Sequence, residues 1–206
     1  PLTGDGARRM RPFADGQPHP EKSAIFLYLN TNKKSVVLDL KTNAGRSKFK
    51  ELAREADILV ENFRPGVMAE LGLDYARLER LNPTLVMTSI SNFGQNGPYR
   101  DWLATEVTLN AMSGMMYMTG ETKREPLKLG LNQVQYVAGV TAAIATLAAL
   151  RWRDFTGTGQ YIDVSLIEPM LNTIHQQTSR YSYWGTIPGR PWGAELPSFY
   201  EVKDGW

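Results

Sequence analysis

Short β-branched runs alternate along this chain with stretches in which apolar residues return every three or four positions. Ser35-Val36-Val37-Leu38-Asp39-Leu40 has the character of a short buried strand, and Thr42 is placed to cap a helix with apolar positions Phe49, Leu52, Ala53 and Ala56. Asp57 to Glu61 predicts the next strand. Pro65-Gly66 turns the chain, two short helical pieces follow (Val67 to Leu71 and Tyr75 to Leu81), and Asn82-Pro83 ends the second before a strand from Thr84 to Ile90. Thr105 to Ser113 and Val134 to Asp154 read as helices, the latter stopped at Thr156-Gly157-Thr158-Gly159. Gln160 to Leu166 alternates as a strand, and Ile167 to Tyr183 predicts one long helix.

Strands alternating with helices imply an α/β fold of parallel β-α-β units, whose ligand site lies at the carboxyl ends of the strands. The Gly94-Gln95-Asn96-Gly97-Pro98 loop follows one such strand end. The segment from Pro1 to Glu21 has no periodicity and suggests an extended surface stretch. At the other end, Tyr200 to Val202 reads as a strand and Asp204-Gly205 as a turn. The chain carries no initiator Met and no visible signal peptide, and its pattern suggests truncation on both sides. Val137 to Leu150 is apolar for about fourteen residues, below the roughly eighteen of a membrane span, and reads as a buried helix.

Composition narrows the chemistry. With 206 residues, 42% hydrophobic and 21% charged, the chain has room for one or two globular domains. A net charge of +2 argues against a nucleic-acid binder, and nothing in the pattern calls for a membrane. The absence of cysteine removes disulfides, thiolate nucleophiles and cysteine metal sites, and is compatible with a cytoplasmic protein. His19 and His175 stand far apart, which leaves little for a Ser-His-Asp triad or a metal site, so no metal is expected and His175 reads as structural.

Several segments, each weak alone, occur in an order that resembles the family III coenzyme A transferases, the formyl-CoA and crotonobetainyl-CoA:carnitine transferase family. They are Gly4-Asp5-Gly6-Ala7-Arg8, Asn30 to Val36 with Leu38-Asp39-Leu40-Lys41, Ala56-Asp57, and Val60-Glu61-Asn62-Phe63-Arg64-Pro65-Gly66. Asn82-Pro83, Phe93 to Tyr99, Ala111 to Gly114 with Thr119-Gly120, and Ala149-Leu150-Arg151 with Thr156 to Gln160 complete the series. The resemblance implies a Rossmann-like large domain joined to a smaller one, in an interlocked homodimer. Residues 1–190 would be part of the CoA-binding large domain, and 191–206 the start of the small domain or a linker. The first part of the large domain and most of the small one would lie outside these residues.

In that family the corresponding segments contact the nucleotide part of CoA, so the resemblance nominates Leu38, Asp39, Leu40 and Lys41 with Asn62, Phe63 and Arg64. A guanidinium or ammonium at a strand end can pair with phosphate while a ring holds adenine. By themselves, Lys33, Lys34 and Lys41 read as solvated strand-edge charges. Glu70 occupies a position that some members fill with a basic residue.

The family mechanism uses an aspartate as covalent nucleophile. Its carboxylate attacks the acyl-CoA thioester to give a mixed anhydride, the released CoA thiolate forms an aspartyl-CoA thioester, and CoA passes to the acceptor carboxylic acid. That aspartate lies four residues before a glycine opening an Ala-rich helix. Counting back from Gly139 gives Gln135, a neutral amide whose NH2 can donate to a thioester oxygen but whose oxygen is a poor nucleophile. Related racemases place a histidine and an aspartate where Thr105 and Gln135 stand. Glu106 is the nearest alternative carboxylate, though by itself it reads as a hydrogen-bonded structural acid. Three readings stay open: a CoA transferase or other CoA-thioester enzyme using another residue, an acyl-CoA-binding protein without turnover, and an inactive subunit whose partner supplies the chemistry.

Overall fold

The computed structural model describes residues 4–187, 189 and 190. The expected strand and turn at 200–205 and the segment 191–206 lie outside the described residues. The chain divides into two compact units, Pro1–Leu52 and Ala53–Trp206.

In the first unit, the stretch expected to be merely extended contains two 3-10 turns, Gly6–Arg9 and Ala14–Gly16. Asp5 caps the first by accepting from the Ala7 amide at 2.7 Å, because an Asx side chain competes well for a free amide at a helix start. Helix α1, Ala24–Leu29, begins at the buried Ser23, whose hydroxyl accepts from Phe26 N. Helix α2, Asn43–Glu55, is capped as expected, with Thr42 Oγ1 accepting from Gly45 N at 3.0 Å. The strand expected over Ser35–Leu40 does not form. A strand is held by a ladder, and here no described residue pairs with it; Val36 and Val37 are 64% and 72% exposed.

The second unit is built on three parallel strands in the order β1 (Ile58–Glu61), β2 (Val86–Ser91), β3 (Tyr161–Ser165). Ile58 pairs with Val86 and Thr88 with Ile162. Between β1 and β2 run α3 (Val67–Glu70) and α4 (Tyr75–Leu78), the two short pieces read from the sequence. Asn82 closes this crossover: its Nδ2 donates to the carbonyls of Ala53 and Ala56, and its Oδ1 accepts from the Thr84 amide and hydroxyl. The side chain is buried and fully used, which is what makes a polar residue tolerable there.

Between β2 and β3 come α5 (Glu106–Met112), α6 (Met115–Met118) and the 24-residue α7 (Gln133–Thr156). By length and composition α7 would suffice to cross a membrane; it packs on β2, β3, α5 and α8 through Val134, Ala138, Ala142, Thr146 and Ala149, and the expected burial holds for that face only, because Val140, Ile144 and Leu147 on α7 are exposed. Thr146 gives its hydroxyl proton to the Ala142 carbonyl at 2.6 Å, so the Thr88 hydroxyl of β2 donates to Thr146 at 2.7 Å in the interior. Helix α7 ends at Gly157, whose φ of +71° forms a left-handed cap. Gly159 then crosses β2 so closely that an added Cβ would stand 2.0 Å from the Leu85 carbonyl oxygen.

The last expected helix is two, α8 (Ile167–Thr173) and α9 (His175–Trp184). Ile174 breaks them at φ −102°, ψ 18°, where Thr173 Oγ1 donates to Met170 O and the His175 ring approaches Asn172 O. Such local side-chain bonds compete with the helical ladder, and apolar spacing does not reveal them.

Candidate functional site

The three strands deliver their carboxyl ends to one cavity of about 890 Å³ in the second unit. Asn62, Phe63 and Arg64 enter it directly after β1, Ser91 and Asn92 at the end of β2, and Leu166 just after β3. Parallel strands leave a crevice at this end, where the chain turns away into helices, so the position follows from topology. Helix α7 closes one side with Gln135 and Gly139.

Gln135 lies in the first turn of α7 and is exposed, its amide free to meet a ligand. One helical turn on, a Cβ at Gly139 would meet nothing within 4 Å. Packing therefore does not demand this glycine; its effect is to leave bare backbone and open space beside residue 135.

Asn62 to Arg64 are oriented by the buried Glu61, whose Oε2 accepts from the Phe63 amide at 2.7 Å. Phe63 is 41% exposed, a large apolar side chain left open to solvent. Glu70 also lines the cavity and presents a carboxylate to it.

Leu38 to Lys41 belong to the first unit. Asp39 Oδ1 accepts from Lys41 N at 3.0 Å, its carbonyl accepts from Thr42 N, and Arg46 Nη1 donates to the carbonyls of Leu40 and Lys41. A Cβ at Gly45 would stand 2.0 Å from the Asp39 carbonyl oxygen, so glycine is required for α2 to begin against this turn. The result is a fixed turn with Leu38 and Leu40 half-buried and Lys41 exposed.

Glu106 does not line the cavity. From the start of α5, its Oε1 accepts from Val134 N at 2.9 Å and from Asn110 Nδ2 at 3.2 Å, which makes it a cap from outside on the first turn of α7. Its Oε2 is buried and finds no partner among the described residues.

His175 and Asp163 line a separate cavity of about 620 Å³ beside α7 and β3. Among the described residues no group of three or more His, Cys, Asp or Glu is placed to hold a metal ion. Tyr75 and Tyr161 meet as a tilted pair with ring centroids 5.5 Å apart. Burial raises both phenols above the ordinary tyrosine value, helped at Tyr75 by Glu79.

Sequence reasoning missed Arg100, Trp102 and Leu103, which line the strand-end cavity. Their signal was present in the loop after β2, where Gly97-Pro98-Tyr99 turns the chain back over the site.

The family model described as CoA-transferase family III matches residues 1–206. Among curated relatives, an acetyl-CoA:oxalate CoA-transferase of Acetobacter aceti is 37% identical over 191 residues, covering 92% of this chain and 48% of the relative. A succinyl-CoA–L-malate CoA-transferase alpha subunit of Chloroflexus aurantiacus is 36% identical over 191 residues, covering 92% and 44%. The crystal structure of a CaiB/BaiF family protein from Brucella suis superposes with a TM-score of 0.86 at 34% identity, covering 98% of this chain and 55% of that one. The chain thus spans about half the length of the relatives it matches.

Proposed function

Because this chain belongs to CoA-transferase family III, we propose that the whole protein moves coenzyme A between an acyl-CoA donor and a small carboxylic acid. The observation that carries this reading is the single strand-end cavity that holds Asn62, Phe63 and Arg64 together with Gln135. One end offers a ring, an amide and a guanidinium to a nucleotide, and the other offers the first turn of a long helix to a thioester. By the resemblance alone, Leu38 to Lys41 of the first unit are proposed to contact CoA as well.

Gln135 changes the chemistry. A carboxylate there would attack the thioester carbonyl and release CoA thiolate, whereas the amide has no anionic oxygen and serves as a donor to the thioester oxygen instead. This favours a second reading, that the subunit binds acyl-CoA without forming a covalent intermediate. The relative named as an alpha subunit shows that members of the family occur as parts of larger enzymes. In either reading the protein is a cytoplasmic, interlocked dimer that needs no metal.

Exchange of labelled CoA between an acyl-CoA and its free acid separates the two readings, since only the transferase turns over. Calorimetry with CoA tests the binding site. Asn62→Ala and Lys41→Ala should each weaken CoA by about tenfold, the worth of one good charge-assisted or amide hydrogen bond. Wild-type affinity in both variants removes the site assignment.

A further inference from the structure

We propose that Arg100 forms an oxyanion subsite in the strand-end cavity, taking a carboxylate or phosphate of the ligand on its guanidinium. The proposal deepens the functional reading above by naming a group that the ligand must carry, and it rests on that reading only for which ligand supplies it.

Arg100 lines the cavity, yet its Nε is buried and has no hydrogen-bond acceptor among the described residues. The nearest carboxylate, Asp101 Oδ1, lies 3.7 Å away, within ion-pair range but too far for a hydrogen bond, and that side chain is 79% exposed. Solvent screens most of such a pairing, so the guanidinium keeps donors to give. A buried N–H of a permanently charged group left without an acceptor is costly, and a planar ligand oxyanion is the partner that matches its fork.

The backbone makes room for this. At the Pro65-Gly66 turn, a Cβ on Gly66 would stand 3.4 Å from Arg100 Nη2, so the guanidinium rests against bare glycine beside Arg64. The loop that carries it is stiff. Phe93, Tyr99 and Trp102 bracket residue 100, with Tyr99 and Trp102 centroids 4.4 Å apart and Phe93 meeting Trp102 edge-on at 6.3 Å. Arg100 N also donates to Gly97 O. A side chain carried on a loop fixed by packed rings starts from a backbone position that binding need not order, which favours a defined anion contact. Glu70 and Asp101 at the same cavity oppose a diffuse cloud of negative charge, so the subsite takes one oxyanion at the fork rather than a polyanion spread along the wall.

The test measures binding of succinate, inorganic phosphate, CoA and dephospho-CoA to the whole protein, as wild type and as Arg100→Gln. A loss of about tenfold or more for succinate places a substrate carboxylate on Arg100. A similar loss for CoA and phosphate that spares dephospho-CoA places the nucleotide phosphate there. Unchanged affinity for every probe overturns the subsite. Arg100→Lys keeps the stem and the charge, so it carries the test should Arg100→Gln fail to fold: a loss of about threefold or more supports the fork, and full affinity for all probes overturns it. CoA exchange is scored separately. Absent exchange alongside Arg100-dependent succinate binding would remove the transferase reading and leave the subsite standing.

Discussion

Glu106 Oε1 sits 2.9 Å from the Val134 amide, so a carboxylate from α5 caps the first turn of the helix that carries Gln135. The acid nearest the expected nucleophile position is thereby committed to orienting the helix. Glu106→Ala should lower stability by about 1–2 kcal/mol, the range of a lost N-cap with its favourable charge at a helix start. Glu106→Gln, which keeps an acceptor oxygen, should cost less than half as much. Urea unfolding of the two variants checks this, and equal stability of Glu106→Ala and wild type would contradict the capping role.

In the proposed function, residue 135 is the position on which covalent chemistry turns. Wild type incubated with a panel of acyl-CoA donors and then hydroxylamine should show no hydroxamate at position 135 by mass spectrometry, and none at Glu106. Gln135→Asp should form one at 135 and raise CoA exchange, because it restores an anionic oxygen beside the open space at Gly139. A wild-type adduct at Glu106 would instead reveal a relocated nucleophile.

Gly159→Ala should be among the most damaging single-methyl changes in the chain. The new Cβ would lie 2.0 Å from the Leu85 oxygen, and the obstacle is backbone at the sheet rather than a side chain that can turn aside. A loss of about 3 kcal/mol or more is expected, against a few tenths for an alanine at the exposed Gly6. Thermal melts of both variants provide the comparison.

Stability should fall in alkali through Tyr161. Burial is the main cause of its raised pKa, opposed by a hydrogen bond with Ser89 and reinforced by Asp163 and Glu61. The folded protein holds this proton more tightly than the unfolded chain, so the contribution is complete below about pH 10 and is lost as pH climbs through the raised folded value. Urea midpoints between pH 8 and 11 should drop less steeply for Tyr161→Phe than for wild type. Parallel curves would show that the phenol is not perturbed.

The parallel α/β architecture was legible because its signals are local and repeat: Thr42 as a cap, Asn82-Pro83 as a stop and Gly157 as a left-handed end all act within a turn of their own position. The segment 35–40 looked like a strand because Val36 and Val37 are β-branched, but composition reports a preference while a ladder requires a neighbour. The site was half legible. Gln135 and Asn62 to Arg64 were nominated through the order of motifs, and the structure brings them to one cavity. Arg100 was missed because its place in the cavity depends on Gly66 leaving space beside it and on Phe93, Tyr99 and Trp102 packing on one another to fix its loop, relations between side chains that no spacing encodes. The one helix expected over Ile167–Tyr183 failed for a similar reason, since the break at Ile174 comes from side-chain bonds that polarity alone does not announce.

The hydroxyl pair between Thr88 and Thr146 acts as a pin through the sheet and α7. Sliding the helix by one residue would strand a hydroxyl in a dry interior at a cost of about 1–3 kcal/mol, so the helix is locked in height as well as in direction. Residue 135, about three turns nearer the amino end, is consequently held at a constant elevation of about 16 Å above that pin whatever side chain it bears. An aspartate or a glutamine at position 135 would therefore meet the same cavity at the same height, because the pin fixes where the side chain stands and not what it carries.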